Sequence, residues 1–315
     1  MGKRCVIGID IGGTGCKGAL VDEGAQVLDR YQQPTDITAG TKSIISVAEE
    51  LARRAATMGA ELSGIGIGAA GFINAVTGSV VFSPNLSYDD PQIAAAVSAR
   101  FDLPVTVDND ANAAAWGERV FGTAQGFDHV ALLTLGTGIG SGFIVDGRLL
   151  RGATGAAAEV GHTIVDIDGP PCPCGLRGCL ESLASGRAIA AAARAAVADE
   201  PSSAVLELAG SIDAITARHV ARAATDHDEV ARTVLRRAGR ALGIGLSNVV
   251  NLFDPQVIVL GGGVVAAGEP YLGAARDELA ACLVEQRRRP VRLDVTTLGQ
   301  DGGIIGAAAL AMARV

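Results

Sequence analysis

Hydrophobic positions in this chain fall into short runs closed by glycines, separated by longer Ala-rich stretches. The runs are bounded by turn residues, which predicts strands, and the Ala-rich stretches predict helices. Two stretches share one layout. The first reads strand Val6–Asp10, glycine turn Gly12-Gly13-Thr14-Gly15, strand Gly18–Val21 and turn Asp22-Glu23-Gly24. The second reads strand Val130–Leu135, turn Gly136-Thr137-Gly138, strand Gly142–Val145 and turn Asp146-Gly147. Each predicts a β-meander. Further strands are predicted at Ile65–Gly68, closing on Gly71, and at Val257–Leu260, closing on Gly261-Gly262-Gly263. Helices are predicted over Ser43–Met58, Pro91–Phe101, Ala111–Val120, Leu180–Ala198 and Glu229–Asn251. A short last helix opens at Gly302-Gly303 and runs through Met312. Two such units predict an α/β protein of two similar lobes with a cleft between them. The first lobe is expected to hold residues 1–112 plus 301–315, and the second residues 113–300.

Composition narrows the class. The 315 residues suffice for two domains, and 49% hydrophobic content with 42 glycines suits a packed α/β protein with many tight turns. The formal net charge is −8, and no basic run exceeds Arg287–Arg289, which reads as a solvated helix end. That excludes a nucleic-acid partner, since phosphate neutralisation needs clustered cations. The most apolar stretch, Ala241–Gly268, is interrupted by Asp254-Pro255 and a glycine triplet, so it reads as helix, turn and strand and not as a membrane span. A strand begins at Arg4, with no secretory signal before it, and the expected location is cytoplasmic. Of six cysteines, Cys172, Cys174 and Cys179 fall within eight residues, which favours a metal site over a disulfide framework.

The chemistry-bearing motifs begin at Asp10-Ile-Gly-Gly-Thr14. An acidic residue ending a strand, then glycines and a hydroxyl, lets backbone N–H groups approach a phosphate, while Asp10 suits Mg²⁺ held through water. Lys17, just beyond the turn, is placed to reach a phosphate. A merely structural turn is the alternative; pairing with Gly136-Thr137-Gly138 strengthens the phosphate reading. There is no Walker-type GxxxxGK[ST] loop. Gly66–Gly71 and Gly261–Ala266 both fit a dinucleotide pattern. The first continues as strand and turn, though, and the second lacks the later acidic residue. In Val107-Asp108-Asn109-Asp110-Ala111-Asn112 a strand passes into an Ala-rich helix, placing Asp110 at or near the helix N-cap. These side chains either only cap the helix or supply a base, Asp110, and an amide, Asn109, suited to a sugar hydroxyl.

Glu159-Val-Gly-His162 followed by Cys172-Pro-Cys174-Gly-Leu-Arg-Gly-Cys179-Leu-Glu181 supplies a Cys₃His set, the donor set of a closed structural Zn²⁺ site.

This last segment matches the pattern ExGHxx…CxCGxxGCxE of the ROK family of sugar kinases, and with the other motifs the resemblance covers essentially the whole chain. It implies a duplicated actin-like ATPase (ribonuclease H-like) fold, with one glycine turn from each lobe holding the phosphates of ATP. Asn109, Asp110, Glu159, His162 and Glu181 are then implied as sugar ligands, with Gly71 and Asn85 as further contacts, and Asp110 as general base. Gly261, Gly262 and Gly263 are implied near the adenosine. His162 is implied to use its second ring nitrogen on zinc, so the metal shapes the sugar pocket without touching the reacting phosphate. Where many family members carry glycine before the glutamate, this chain has Ala158, whose methyl restricts the backbone slightly.

The resemblance points to an ATP-dependent hexose kinase with glucose as the favoured acceptor. Fructose, mannose, N-acetylmannosamine and N-acetylglucosamine are the competing acceptors, and polyphosphate the competing donor. The family also includes sugar-responsive repressors carrying a DNA-binding module before the first lobe. With the first turn at residue 10 that module is not expected. The zinc cluster and short length disfavour a chaperone-type or actin-type ATPase. A homo-oligomer, dimer or tetramer, is expected from the resemblance alone.

Overall fold

The computed structural model describes residues 3–200, 202–283 and 291–313, so Arg287–Arg289 lie outside the described residues. Along the chain the first meander is β1 (Arg4–Ile11), β2 (Cys16–Asp22) and β3 (Val27–Gln33). It is followed by α1 (Gly40–Thr57), β4 (Glu61–Ala69), β5 (Phe72–Asn74), β6 (Ser79–Phe82), α2 (Ile93–Phe101), β7 (Val105–Asn109) and α3 (Asp110–Phe121). The second meander is β8 (Val130–Leu135), β9 (Ile139–Val145) and β10 (Arg148–Leu149). Then come α4 (Leu180–Ala184), α5 (Gly186–Asp199), α6 (Ala204–Ala209), α7 (Ala217–Thr225), α8 (Glu229–Phe253) and β11 (Val257–Gly261). The chain ends through α9 (Glu269–Cys282), β12 (Arg292–Val295) and α10 (Gly302–Ala313).

The duplication is visible in strand order. One sheet runs β3-β2-β1-β4-β7 and the other β10-β9-β8-β11-β12, so each is a meander extended on the side of its first strand. In the first sheet β4 pairs parallel with β1, and β7 parallel with β4. The described chain divides into two compact units: residues 1–132, 142–158 and 296–315, and residues 133–141 and 159–295. The helix α3 and the segment after β10 therefore belong with the first unit.

Packing in the first unit explains why its strands read as continuous apolar runs: both faces of the sheet are covered. Ile7, Ile9 and Ile11 of β1 meet one face of α1, on which Ile44, Val47, Ala48, Leu51 and Ala55 recur at helical spacing. Val6 and Ala19, on the other face, pack against Ile304 and Ala308 of α10. That helix lies unusually close. A Cβ on Gly8 would sit 2.3 Å from the carbonyl oxygen of Ile304, and one on Gly66 only 1.7 Å from that of Ala307. Gly306 of α10 in turn admits the backbone of α3, where a Cβ would fall 2.0 Å from the oxygen of Ala113.

The structure departs from the sequence reading in several elements. Leu180–Ala198 is two helices, broken where the Ser185 side chain turns back to accept the Ala188 N–H (3.2 Å) and caps α5. Helices α6, α7 and α9 were not foreseen. The first two are short, and α9 opens with Pro270 in its first turn, after the glycine-rich end of β11. The stretch Ala241–Gly268 is α8, a left-handed Asp254 (φ 45°) and β11. Among the described residues no helix is long and apolar enough to cross a membrane.

The tight seat of α10 is testable. Gly66→Ala forces a methyl into the Ala307 carbonyl and is expected to cost about 3 kcal/mol of stability, read from the urea unfolding midpoint at unchanged slope.

Candidate functional site

In the first unit the candidate residues gather at the carboxyl ends of β1, β4 and β7. Asp10 is aligned with Gly68, and Gly68 with Asp108, so Asp10 and the start of the Asp108–Asp110 run lie two strands, about 10 Å, apart on one sheet edge. Parallel strands put ligands at this edge. Burial pushes the Asp10 carboxyl above its ordinary range, and Lys17, its antiparallel neighbour across the hairpin, pulls it back. Lys17 itself is exposed on β2. After Asp10 the chain closes a tight turn, with the Gly12 N–H on the Gly15 carbonyl (3.1 Å) and the Gly12 carbonyl accepting the Thr35 hydroxyl (2.7 Å). Among the described residues the N–H groups of Gly13, Thr14 and Gly15 have no protein acceptor. They are the donors a phosphate would need. A Cβ on Gly13 would lie 3.6 Å from the Asn85 carbonyl, so Asn85 sits beside this turn.

The N-cap of α3 is Asn109, not Asp110. The Asn109 Oδ1 accepts the Ala111 and Asn112 N–H groups (2.9 and 3.1 Å), and its Nδ2 donates to the Gly71 carbonyl (3.1 Å). One amide N–H of Asn109 is left for a ligand. Gly71 (φ +123°) takes a backbone that a side chain would strain, pressed against the Phe82 carbonyl. Asp110 is the first residue of α3, half-buried, and the helix N-terminus favours its ionised form.

Two supporting residues, Arg151 and Tyr88, were not foreseen. Asp108 is buried and receives Arg151 Nε on Oδ2 (2.7 Å), with Asn112 Nδ2 and its neighbour's N–H on Oδ1 (2.9 and 2.8 Å). Its job is to fix the strand-to-helix corner that carries Asn109 and Asp110. Tyr88 donates to the Ala70 carbonyl (3.0 Å), and its phenol is pushed up by burial and by the nearby Asp110, Cys16 and Asp10. Only its place three residues after Asn85 hinted at Tyr88; nothing in the local sequence announced Arg151.

In the second unit the turn Gly136–Gly138 is fastened from behind. The Gly186 and Arg187 N–H groups, without intrahelical partners at the start of α5, bond to the Gly136 and Thr137 carbonyls (2.8 and 3.4 Å). The Glu181 Oε2 accepts the Ile139 N–H (2.9 Å). Among the described residues the N–H groups of Thr137 and Gly138 have no protein acceptor. Gly262 (φ +87°) packs directly on the Leu135 carbonyl, bringing Gly261–Gly263 against the strand that leads into this turn.

Glu159, His162 and Glu181 form a second group. Glu159 is open to solvent on one side, yet burial pushes its carboxyl up; His162 lowers it and Glu181 raises it further. The residue before it, Ala158, sits at φ +67°, the left-handed region that glycine occupies without strain. The methyl foreseen as a slight restriction is therefore a strained position.

His162, Cys172, Cys174 and Cys179 bring one donor atom each to within 4.8 Å of one another. The His162 Nδ1 lies 3.8 Å from the Cys172 Sγ, and the Cys174 and Cys179 Sγ atoms are 3.7 Å apart. Two Zn–S bonds of about 2.3 Å at a tetrahedral angle place sulfurs about 3.8 Å apart, so donors and spacing fit a tetrahedral divalent ion. The Leu176 N–H holds the Cys174 thiol below its ordinary range, whereas burial pushes Cys179 up to about 12. A cation is what would hold that buried thiol as thiolate.

Comparison with known proteins agrees with this geometry. The model of the ROK family matches residues 6–314. A glucokinase of Streptomyces coelicolor is 40% identical over 311 residues, spanning 97% of this chain and 96% of that protein. A crystal structure of a ROK family glucokinase from Streptomyces griseus in complex with glucose and AMPPNP is similar at TM-score 0.86 and 39% identity. It covers 98% of this chain and 99% of that one. A xylose repressor of Bacillus subtilis is 31% identical over 307 residues, 96% of this chain and 76% of the repressor.

The strain at Ala158 predicts that Ala158→Gly stabilises the protein by about 1 kcal/mol despite the added freedom of the unfolded chain, seen as a higher urea midpoint. A lowered midpoint would place the left-handed backbone in error.

Proposed function

Because the chain belongs to the ROK family, we propose that it is an ATP-dependent glucokinase, transferring the γ-phosphoryl group of ATP to the 6-hydroxyl of glucose. The observation that carries this reading is the first unit's strand edge. There a phosphate turn after β1 and a carboxylate at a helix start after β7, Asp110, are built at one edge of one sheet, with β4 between their strands. The full-length likeness to glucokinases supports the same reading.

The residues divide the work. Asp110 takes the proton of the attacking hydroxyl as the new P–O bond forms and the bond to the β-phosphate oxygen breaks, releasing ADP. Asn109 offers its remaining N–H to a neighbouring hydroxyl, and Glu159 and Glu181 accept from others, with Gly71 and Asn85 as further contacts. The glycine turns at Gly12–Thr14 and Gly136–Gly138 receive phosphate oxygens with the N–H groups of Gly13, Thr14, Thr137 and Gly138, while those of Gly12 and Gly136 close the turns themselves; Lys17 neutralises charge, and Gly261–Gly263 flank the adenosine. Asp10, half-buried and raised by burial, is suited to a magnesium ion, which when bound neutralises charge on the phosphates. His162, Cys172, Cys174 and Cys179 would hold a structural zinc ion. With Nδ1 turned to the thiols, the His162 Nε2–H faces away and is fixed as a donor to a sugar hydroxyl.

The likeness to a xylose repressor favours a second reading, a sugar-binding regulator without turnover. A coupled ADP-release assay decides. Asp110→Asn is expected to lower kcat at least about 100-fold with glucose and MgATP, while glucose binding persists. Wild-type protein that binds glucose but releases no ADP with any hexose, and forms no sugar phosphate from polyphosphate, would favour the regulator. Turnover with fructose, mannose or an N-acetylated hexosamine would move only the acceptor.

For the metal site, metal analysis by mass spectrometry is expected to find one zinc per chain, and none in Cys174→Ser combined with Cys179→Ser. Zinc-free wild type with unchanged glucose affinity would remove the metal from the sugar site.

A further inference from the structure

Glu181 does two things at once. On the kinase reading it accepts from a sugar hydroxyl, and it is also a structural tie of the second phosphate turn. Both its oxygens are engaged: Oε2 by the Ile139 N–H (2.9 Å) and Oε1 by Arg187 Nη2 (2.9 Å). The fit against the turn is close. A Cβ on Gly138 would fall 2.3 Å from Glu181 Oε2, so the carboxylate cannot shift without displacing Gly138 or releasing Ile139. Arg187 grips the same turn by its backbone, through the Thr137 carbonyl (3.4 Å). Arg187 is thus joined to the turn twice, once directly and once through Glu181, and nothing in the motif pattern singled it out.

We propose that Arg187 is a positioning residue for phosphoryl transfer: through Glu181 it makes the shape of the Gly136–Gly138 turn depend on whether the sugar site is occupied. This rests on the kinase reading. Without sugar, Glu181 is held by the Ile139 N–H and the Arg187 guanidinium alone. A sugar hydroxyl that donates to Glu181 adds a third tie to that carboxylate. The carboxylate of Glu181 has lone pairs enough for the hydroxyl, Ile139 and Arg187 together, so binding sugar fixes its orientation and with it the N–H groups of Thr137 and Gly138. Sugar that favours one shape of the turn must then favour nucleotide, and nucleotide must favour sugar by the same factor.

The test is calorimetric. The affinity of AMPPNP with Mg²⁺ is measured with and without saturating glucose for wild type, Arg187→Met, Arg187→Lys and Glu181→Gln. Arg187 is half-exposed on the surface of α5, so both of its variants are expected to fold. In wild type glucose is expected to tighten AMPPNP at least about five-fold. In R187M the factor falls below about two-fold, while the affinity for glucose alone changes by less than about three-fold; R187K keeps most of the coupling. E181Q retains an acceptor for Ile139 but loses the ion pair, and is expected to lose coupling together with glucose affinity. A wild-type factor preserved in R187M overturns the proposal, as does wild type that binds glucose and AMPPNP independently. Wild type that binds neither ligand overturns the kinase reading and this one with it.

Discussion

Hydrogen bonds from the first turn of α5 to the carbonyls of Gly136 and Thr137 decide which way the second glycine turn presents its backbone. A helix start has N–H groups that no residue of its own helix can satisfy, and a glycine turn has carbonyls in the same position. Satisfying one with the other leaves the turn's own N–H groups as its open chemistry. The first turn is organised likewise, with the Gly12 carbonyl taken by Thr35. In the second turn glycine is needed for proximity: any side chain on Gly138 would meet the Glu181 carboxylate.

The second unit carries Glu159, His162 and Glu181, the proposed sugar ligands, beside this support. His162 faces the cysteine cluster with Nδ1, and its backbone N–H closes on the Glu159 carbonyl (3.0 Å), so the histidine and the glutamate share one short turn. Orientation of the imidazole is thereby settled by the thiols and not by the sugar. The cluster itself is shaped by backbone contacts such as the Cys172 N–H on the Leu176 carbonyl (2.8 Å) and the close passage of Gly178 over the Asp166 carbonyl. In the first unit the equivalent stiffness comes from a buried ion pair, Asp108 with Arg151, beneath the corner that carries Asn109 and Asp110.

Much of this was legible in the chain. The paired meanders, the parallel strands after them, α8 with its stop at Asp254 and the Cys₃His cluster all follow from local pattern: turn glycines, apolar runs and ligand spacing act within a few residues. What escaped is what depends on distant partners or on weak local signals. Ser185 looks like any serine in an Ala-rich helix until its hydroxyl caps α5. Asn109 takes the cap that three adjacent polar residues left ambiguous. Arg151, Tyr88 and Arg187 carry no motif, and their roles exist only because the fold brings Asp108, the Ala70 carbonyl and Glu181 to them. Ala158 was recognised as a departure, but its left-handed backbone required coordinates.

The glycine-lined face of β1 and β4 has a further consequence, for the order in which the molecule is made. That face is covered by α10, whose residues follow the first meander by nearly the whole length of the chain, after every strand and helix of the second unit. On the ribosome the second unit can complete its core while the first still waits with one side of its sheet bare. Closing it demands contacts between the two ends of the chain, the kind that slow folding and leave apolar surface open to wrong partners. The small residues on that face, Gly8, Ala19 and Gly66, offer little grease to a stray partner during the wait.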